Sequence, residues 1–205
     1  MDLDTNECFE DHARPATSTF GKDDSFQDYR DVKRDTTRRA QSERVLRATL
    51  RRAQEQLAVA SLLSQSDALL SGDVETLARE TTERSAEAMG CERANVWLFN
   101  DNETELTCID LFEATPKRHS SGAVLTESEY GPEFRTLKAA KYVDADNPLT
   151  DPRTAGYVET YVKPLGITSM LDVAIQASGH TFGLICFEHV GKPHVWERDE
   201  ILFAG

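Results

Sequence analysis

Residues 166–189 read Gly166-Ile167-Thr168-Ser169-Met170-Leu171-Asp172-Val173-Ala174-Ile175-Gln176-Ala177-Ser178-Gly179-His180-Thr181-Phe182-Gly183-Leu184-Ile185-Cys186-Phe187-Glu188-His189. Two runs rich in strand-forming residues flank Ser178-Gly179, a pair suited to a two-residue turn, so the spacing predicts an antiparallel hairpin of Ser169–Ala177 and His180–His189. If that turn is tight, Asp172 lies opposite Ile185 and Met170 opposite Phe187. Side chains alternate across a strand, which puts Met170, Asp172, Ala174, Ile185, Phe187 and His189 on one face. Leu171, Val173, Ile175, Phe182, Leu184 and Cys186 then share the other. Both faces are largely apolar, so both must be covered.

Working back from the hairpin, Asp151 caps a helix that starts at Pro152 and carries Tyr157, Val158 and Tyr161. Lys141–Ala145 reads as a short strand, and Glu129–Ala140 as a helix with Phe134 and Leu137 on one side. A first hairpin, Arg93–Asn100 and Glu105–Glu113, turns at Asp101-Asn102-Glu103-Thr104. Before it, Asp73 and Gly90 bracket a helix with the stripe Val74, Leu77, Ala78, Thr81, Ala88 and Met89. The order of elements predicts an α+β fold, a central antiparallel sheet covered by helices on both faces.

Further upstream, residues 42–71 contain no Gly or Pro, and Leu46, Leu50, Ala53, Leu57 and Ala60 recur at spacings of four and three. This predicts a signalling and dimerisation helix. Val59, Leu62, Leu63 and Leu69 form a second stripe for the following domain, leaving Arg47, Arg51 and Arg52 to solvent. Residues 1–41 are dominated by charge, too poor in large aliphatics to offset ordering, and read as a disordered leader. The expected organisation is leader 1–41, helix 42–71 and globular domain 72–205. The last amphipathic run, after Trp196, breaks off within about a turn, which suggests that an output domain follows.

Composition narrows the function classes. A formal charge of −13 over 205 residues disfavours nucleic acid and anionic membrane as partners. No apolar run approaches the roughly 18 residues of a membrane span, and Met1-Asp2-Leu3-Asp4 lacks the order of a signal peptide, so the expected location is cytoplasmic. Cys8, Cys91, Cys108 and Cys186 are far apart, with neither a CxxC pair nor a histidine at metal-ligand spacing, so no metal site is expected.

Together, Gly166 to Ile175, Gly179, Phe182 to His189, Trp196 and Glu200 resemble the carboxy-terminal half of GAF domains, and the resemblance extends over about residues 70–205. It is closest in style to amino-terminal sensor domains of bacterial histidine kinases and diguanylate cyclases, with a fainter likeness to phytochromes. The resemblance implies two-component or cyclic di-GMP signalling, a homodimer and a pocket between the sheet and two helices. By resemblance to phytochromes, Met170, Asp172, Ala174, Phe187 and His189 would face that pocket, with Tyr130, Phe134, Tyr157 and Tyr161 on a helical lid. His119, beside Lys117 and Arg118, is a further candidate for ligand contact. The Cys-His dipeptide of bilin attachment and the signature of cyclic-nucleotide-binding members are missing, so the cofactor is unknown.

Asp172 is the most informative of these residues. A carboxylate inside an apolar strand either meets a ligand or ties down a backbone amide. Two other readings stand beside the sensor: an enzyme of the free methionine sulfoxide reductase type, using Cys91 and Cys108 with Cys186 turned away from the pocket, and a ligandless dimerisation module with its pocket filled by large side chains.

Overall fold

The computed structural model describes residues 22–205. Cys8 and the first half of the predicted leader lie outside the described residues. The chain divides into two units, Met1–Arg47 and Ala48–Gly205. Helix α1 is Lys22–Ser64, so residues 22–41, read above as disordered, are helical. The physical reason is visible in the sequence: Gly21 is followed by an unbroken run without Gly or Pro, and i,i+4 ion pairs such as Arg47–Glu43 support a helix with little apolar content.

Within the second unit, Gln56 of α1 is buried against the Met89 sulfur, and Val59 and Leu63 are half-buried. Arg52 departs from expectation. Instead of facing solvent it donates to Asp199 at 2.8 Å and to Glu197 at 2.7 Å, carboxylates at the start of the last helix. Leu62 and Leu69, expected to be covered, are exposed.

Helix α2 is Asp67–Ser71 and α3 is Val74–Met89. The Asp73 side chain accepts from the Thr76 amide, and α3 stops where Gly90 turns to φ 62°. Strands β1 (Arg93–Phe99), β2 (Glu105–Glu113), β3 (Arg118–Ser120) and β4 (Val124–Thr126) follow, then α4 (Glu127–Ala139) and β5 (Tyr142–Ala145). Pro152–Tyr157 is a 3₁₀ turn, Val158–Val162 a π turn and Lys163–Leu165 a single α turn, α5, where one regular helix was predicted. Strands β6 (Ile167–Ala177) and β7 (His180–Val190) and helix α6 (Arg198–Ala204) complete the described chain.

The described residues form a seven-stranded antiparallel sheet in the order β3-β2-β1-β7-β6-β5, with β4 also paired to β2. One face carries Ala78, Met89, Phe112, Leu171, Ile185 and Phe187, with Trp196 closing its edge. The other packs Trp97, Phe134, Tyr157, Val162, Met170 and Leu184 under α4 and the 3₁₀–π segment.

The β6–β7 turn lies at Ser178 and Gly179, with φ of 52° and 82°, as predicted. The register does not follow. Gln176 pairs with Thr181, but Ile175 pairs with Gly183, so Phe182 is an extra residue in β7 and Asp172 lies opposite Cys186. This β-bulge reverses the faces of β7 beyond it. Leu184, Cys186 and Glu188 join Met170, Asp172 and Ala174, while Ile185, Phe187 and His189 turn to the opposite side.

Gly183 next to the bulge has a steric role. A Cβ there would sit 1.9 Å from the Trp97 carbonyl oxygen of β1, backbone that cannot step aside without breaking the ladder. Gly183→Ala is therefore expected to destabilise the domain by at least about 1–3 kcal/mol. Urea unfolding measures this, and a loss under about 0.5 kcal/mol would contradict it.

Candidate functional site

Between the sheet and the lid lies a cavity of about 230 Å³. Its sheet wall comes from three adjacent strands, because β1–β7–β6 pairing sets Asn95, Cys186 and Asp172 in one row and Trp97 and Leu184 in the next. Its lid wall is aromatic, built from Tyr130 of α4 and from Tyr157 and Tyr161 of the 3₁₀–π segment. The Tyr130 and Tyr157 rings lie 5.1 Å apart, and the Tyr130 hydroxyl meets Thr160 at 3.3 Å. A π turn widens the helix by one residue per turn, a feature common at functional sites, and here it carries Thr160 and Tyr161 on the lining.

An ion pair latches lid to sheet. Glu188 is 0% exposed; it accepts from Arg93 at 2.7 Å and from the Tyr161 hydroxyl at 2.7 Å. Arg93 also donates to Glu113 at 2.9 Å and to Tyr161 at 3.3 Å. Burial works against the Arg93 charge, but Glu188 and Tyr161 beside it outweigh that and hold its pKa above the ordinary value. A second tie runs from α4: the buried Glu133 accepts from the Gly156 amide at 2.7 Å.

Asp172 is different. It is 5% exposed, and among the described residues its carboxyl accepts no hydrogen bond; the neighbouring Cys186 thiol donates instead to Glu188 at 3.5 Å. The expected tie to a backbone amide is therefore not present. Burial pushes its carboxyl up to about 7, the thiol lowers it, and nearby Glu188 raises it again. Across the row, Asn95 Oδ1 accepts from Trp97 at 2.5 Å, and Asn95 Nδ2 is buried with no partner.

The structure sorts the predicted site residues. Met170, Asp172, Tyr130, Tyr157 and Tyr161 line the cavity. Ala174 is on the same sheet face but outside the lining, and Phe134 is buried beneath, edge-on to Phe99 at 5.5 Å. Phe187 is in the core of the opposite face, moved there by the bulge. His189 is there too, in a separate groove with Lys192 and His194, stacked on His194 at 4.2 Å with its Nε2 buried and unpartnered. Burial, then the proximity of His194, lowers its pKa to about 4. His119 pairs with Asp110 at 2.9 Å, and Asp110 accepts from Thr82 of α3 at 2.5 Å, so His119 is part of the α3 face rather than a basic loop over the cavity. Cys186, expected to point away, lines the cavity.

Residues 73–205 match the GAF domain family. The chain belongs to that family. No curated protein matches the chain. Among solved structures it is similar in fold to the GAF domain of an Acinetobacter phosphoenolpyruvate-protein phosphotransferase, at 14% identity and TM-score 0.56, over 74% of this chain and 84% of that one. A far-red absorbing protein with bound biliverdin IXa gives 17% identity and TM-score 0.59, over 73% and 90%. The GAF domain of the cyanobacteriochrome TePixJ gives 17% and 0.51, over 63% and 81%. At these identities the likeness shows the fold. GAF domains are generally sensory or regulatory rather than catalytic, and these neighbours include photoreceptor domains. No described helix is long and apolar enough to cross a membrane.

Proposed function

We propose that this GAF domain is a sensory input module that binds a small molecule in the sheet–lid cavity and acts as a homodimer on an output domain, of the histidine kinase or diguanylate cyclase type. The observation that carries the reading is the cavity itself: aromatic walls around a buried carboxyl, Asp172, that no backbone amide satisfies among the described residues. A carboxyl set among apolar cavity walls costs stability, and a bound donor is the simplest compensation. Support for the dimer comes from α1, where Leu50 and Leu57, the latter 72% exposed, stay open on the helix face away from Gln56. Cytoplasmic signalling is the setting this implies.

The thiols favour regulation over sulfoxide reduction. Cys91, Cys108 and Cys186 are all buried, and burial pushes the first two up to about 12 and the third well above its ordinary value. At neutral pH such thiols carry almost no thiolate, the form that attacks.

Native mass spectrometry of the protein purified from its own host tests both halves. The expected result is a dimer with a reproducible extra mass, and a monomer for the Leu50→Glu/Leu57→Glu variant. A monomeric wild type overturns the dimer, and a protein that carries no ligand from its host overturns the sensor reading.

A further inference from the structure

The row Asn95–Cys186–Asp172 spans three neighbouring strands at one level of one sheet face. Two strand spacings separate the backbones of Asn95 and Asp172 by roughly 10 Å, with Cys186 between them. At one end of the row a carboxyl lacks an N–H donor; at the other, Asn95, 1% exposed, has an amide N–H without an acceptor. Of the other polar groups nearby, Glu188 is engaged by Arg93 and Tyr161, and Tyr130 by Thr160, while the Tyr157 hydroxyl, also on the lining, makes no hydrogen bond among the described residues.

Resting on the cavity reading above, we infer that the ligand is a planar, uncharged or cationic two-ring nitrogen heterocycle, whose amino N–H groups donate to Asp172 while an acceptor at its far end meets Asn95 Nδ2. The rings lie over Cys186, between Trp97 and the tyrosines of the lid. Size supports two rings: an engineered cavity of about 150 Å³ holds one benzene, so 230 Å³ takes a fused pair. Charge selects against anions, because Asp172 and Glu188 both line the space and Arg93 is already committed to Glu188 and Glu113. Aromatic walls favour flat π-systems over aliphatic amines of equal volume.

Calorimetric titration of the ligand-stripped domain at pH 8 tests this with two probes of similar shape. Pterin carries amino N–H groups at one end and ring acceptors at the other; quinoline has an acceptor and no N–H. Pterin is expected to bind at least about 10-fold more tightly than quinoline. Asp172→Asn should weaken pterin about 10–100-fold and leave quinoline unchanged, the range for a hydrogen bond to a charged group. Asp172→Leu, which removes all acceptor capacity, should abolish the difference between the probes. Equal binding of the two by the wild type, or pterin affinity untouched by both substitutions, overturns the ligand class and leaves the cavity reading standing. If neither probe binds at millimolar concentration, the cavity reading falls with it.

Discussion

Replacing Arg93 by methionine is expected to cost about 3–5 kcal/mol, a large share of the roughly 5–15 kcal/mol that holds a domain of this size. Methionine keeps much of the packing volume but leaves Glu188, fully buried, without its cation. The Tyr161 hydroxyl alone cannot replace a guanidinium that donates at 2.7 Å. Guanidinium chloride unfolding measures the loss. Adding Glu188→Gln to Arg93→Met removes the orphaned charge and should recover more than half of it, whereas a loss of side-chain packing alone would not be rescued. A single-variant loss under about 1 kcal/mol would show that the pair is not the latch described here.

Asp172→Asn is expected to raise stability, in a pH-dependent manner. The folded domain holds Asp172 at about 7, above the ordinary carboxyl value of 3.8, so the folded state favours the neutral acid. That contribution is complete below about 3.8 and is lost as pH rises through about 7. Above pH 8 the buried carboxylate costs the ligand-free protein up to roughly 4 kcal/mol, which a neutral asparagine avoids. The groups facing Asp172 are Cys186 and Glu188 on β7 and Tyr157 on the lid, and the two tyrosine and cysteine partners are themselves held neutral by burial. Melting curves from pH 4 to pH 9 should nearly coincide for variant and wild type at the acid end, diverge progressively between about pH 4 and pH 7, and run parallel above that. Parallel curves across the range would rule the mechanism out.

Most of the architecture was legible because it rests on local signals. Asp73 and Gly90 marked α3, the strand-forming runs marked both hairpins, and Ser178-Gly179 marked a turn found with both residues at positive φ. Polarity alone points to disorder at positions 22–41, but a run free of Gly and Pro with paired charges also suits a solvated helix, which is what forms.

The site was legible in part, and its errors on β7 share one cause. Alternation counted from the turn placed Asp172 and Met170 correctly on β6 but reversed β7, since one bulged residue, Phe182, shifts every position beyond it. Gly183, a glycine inside a strand, was the available signal for that irregularity. Arg93 and Glu188 were harder to find, because residues 95 positions apart become partners only when β1 is laid beside β7.

Arg52 joins the first and last described helices of the second unit through a single guanidinium. Its partners include Glu197, more than half exposed, and both belong to the α6 start. A joint made of one cation is compliant in a way that the apolar interlayer is not. Dissolved salt loosens it by screening, and the sheet and lid are left as they were. Rising ionic strength therefore weakens the attachment of the α6 start to α1, independently of what occupies the cavity.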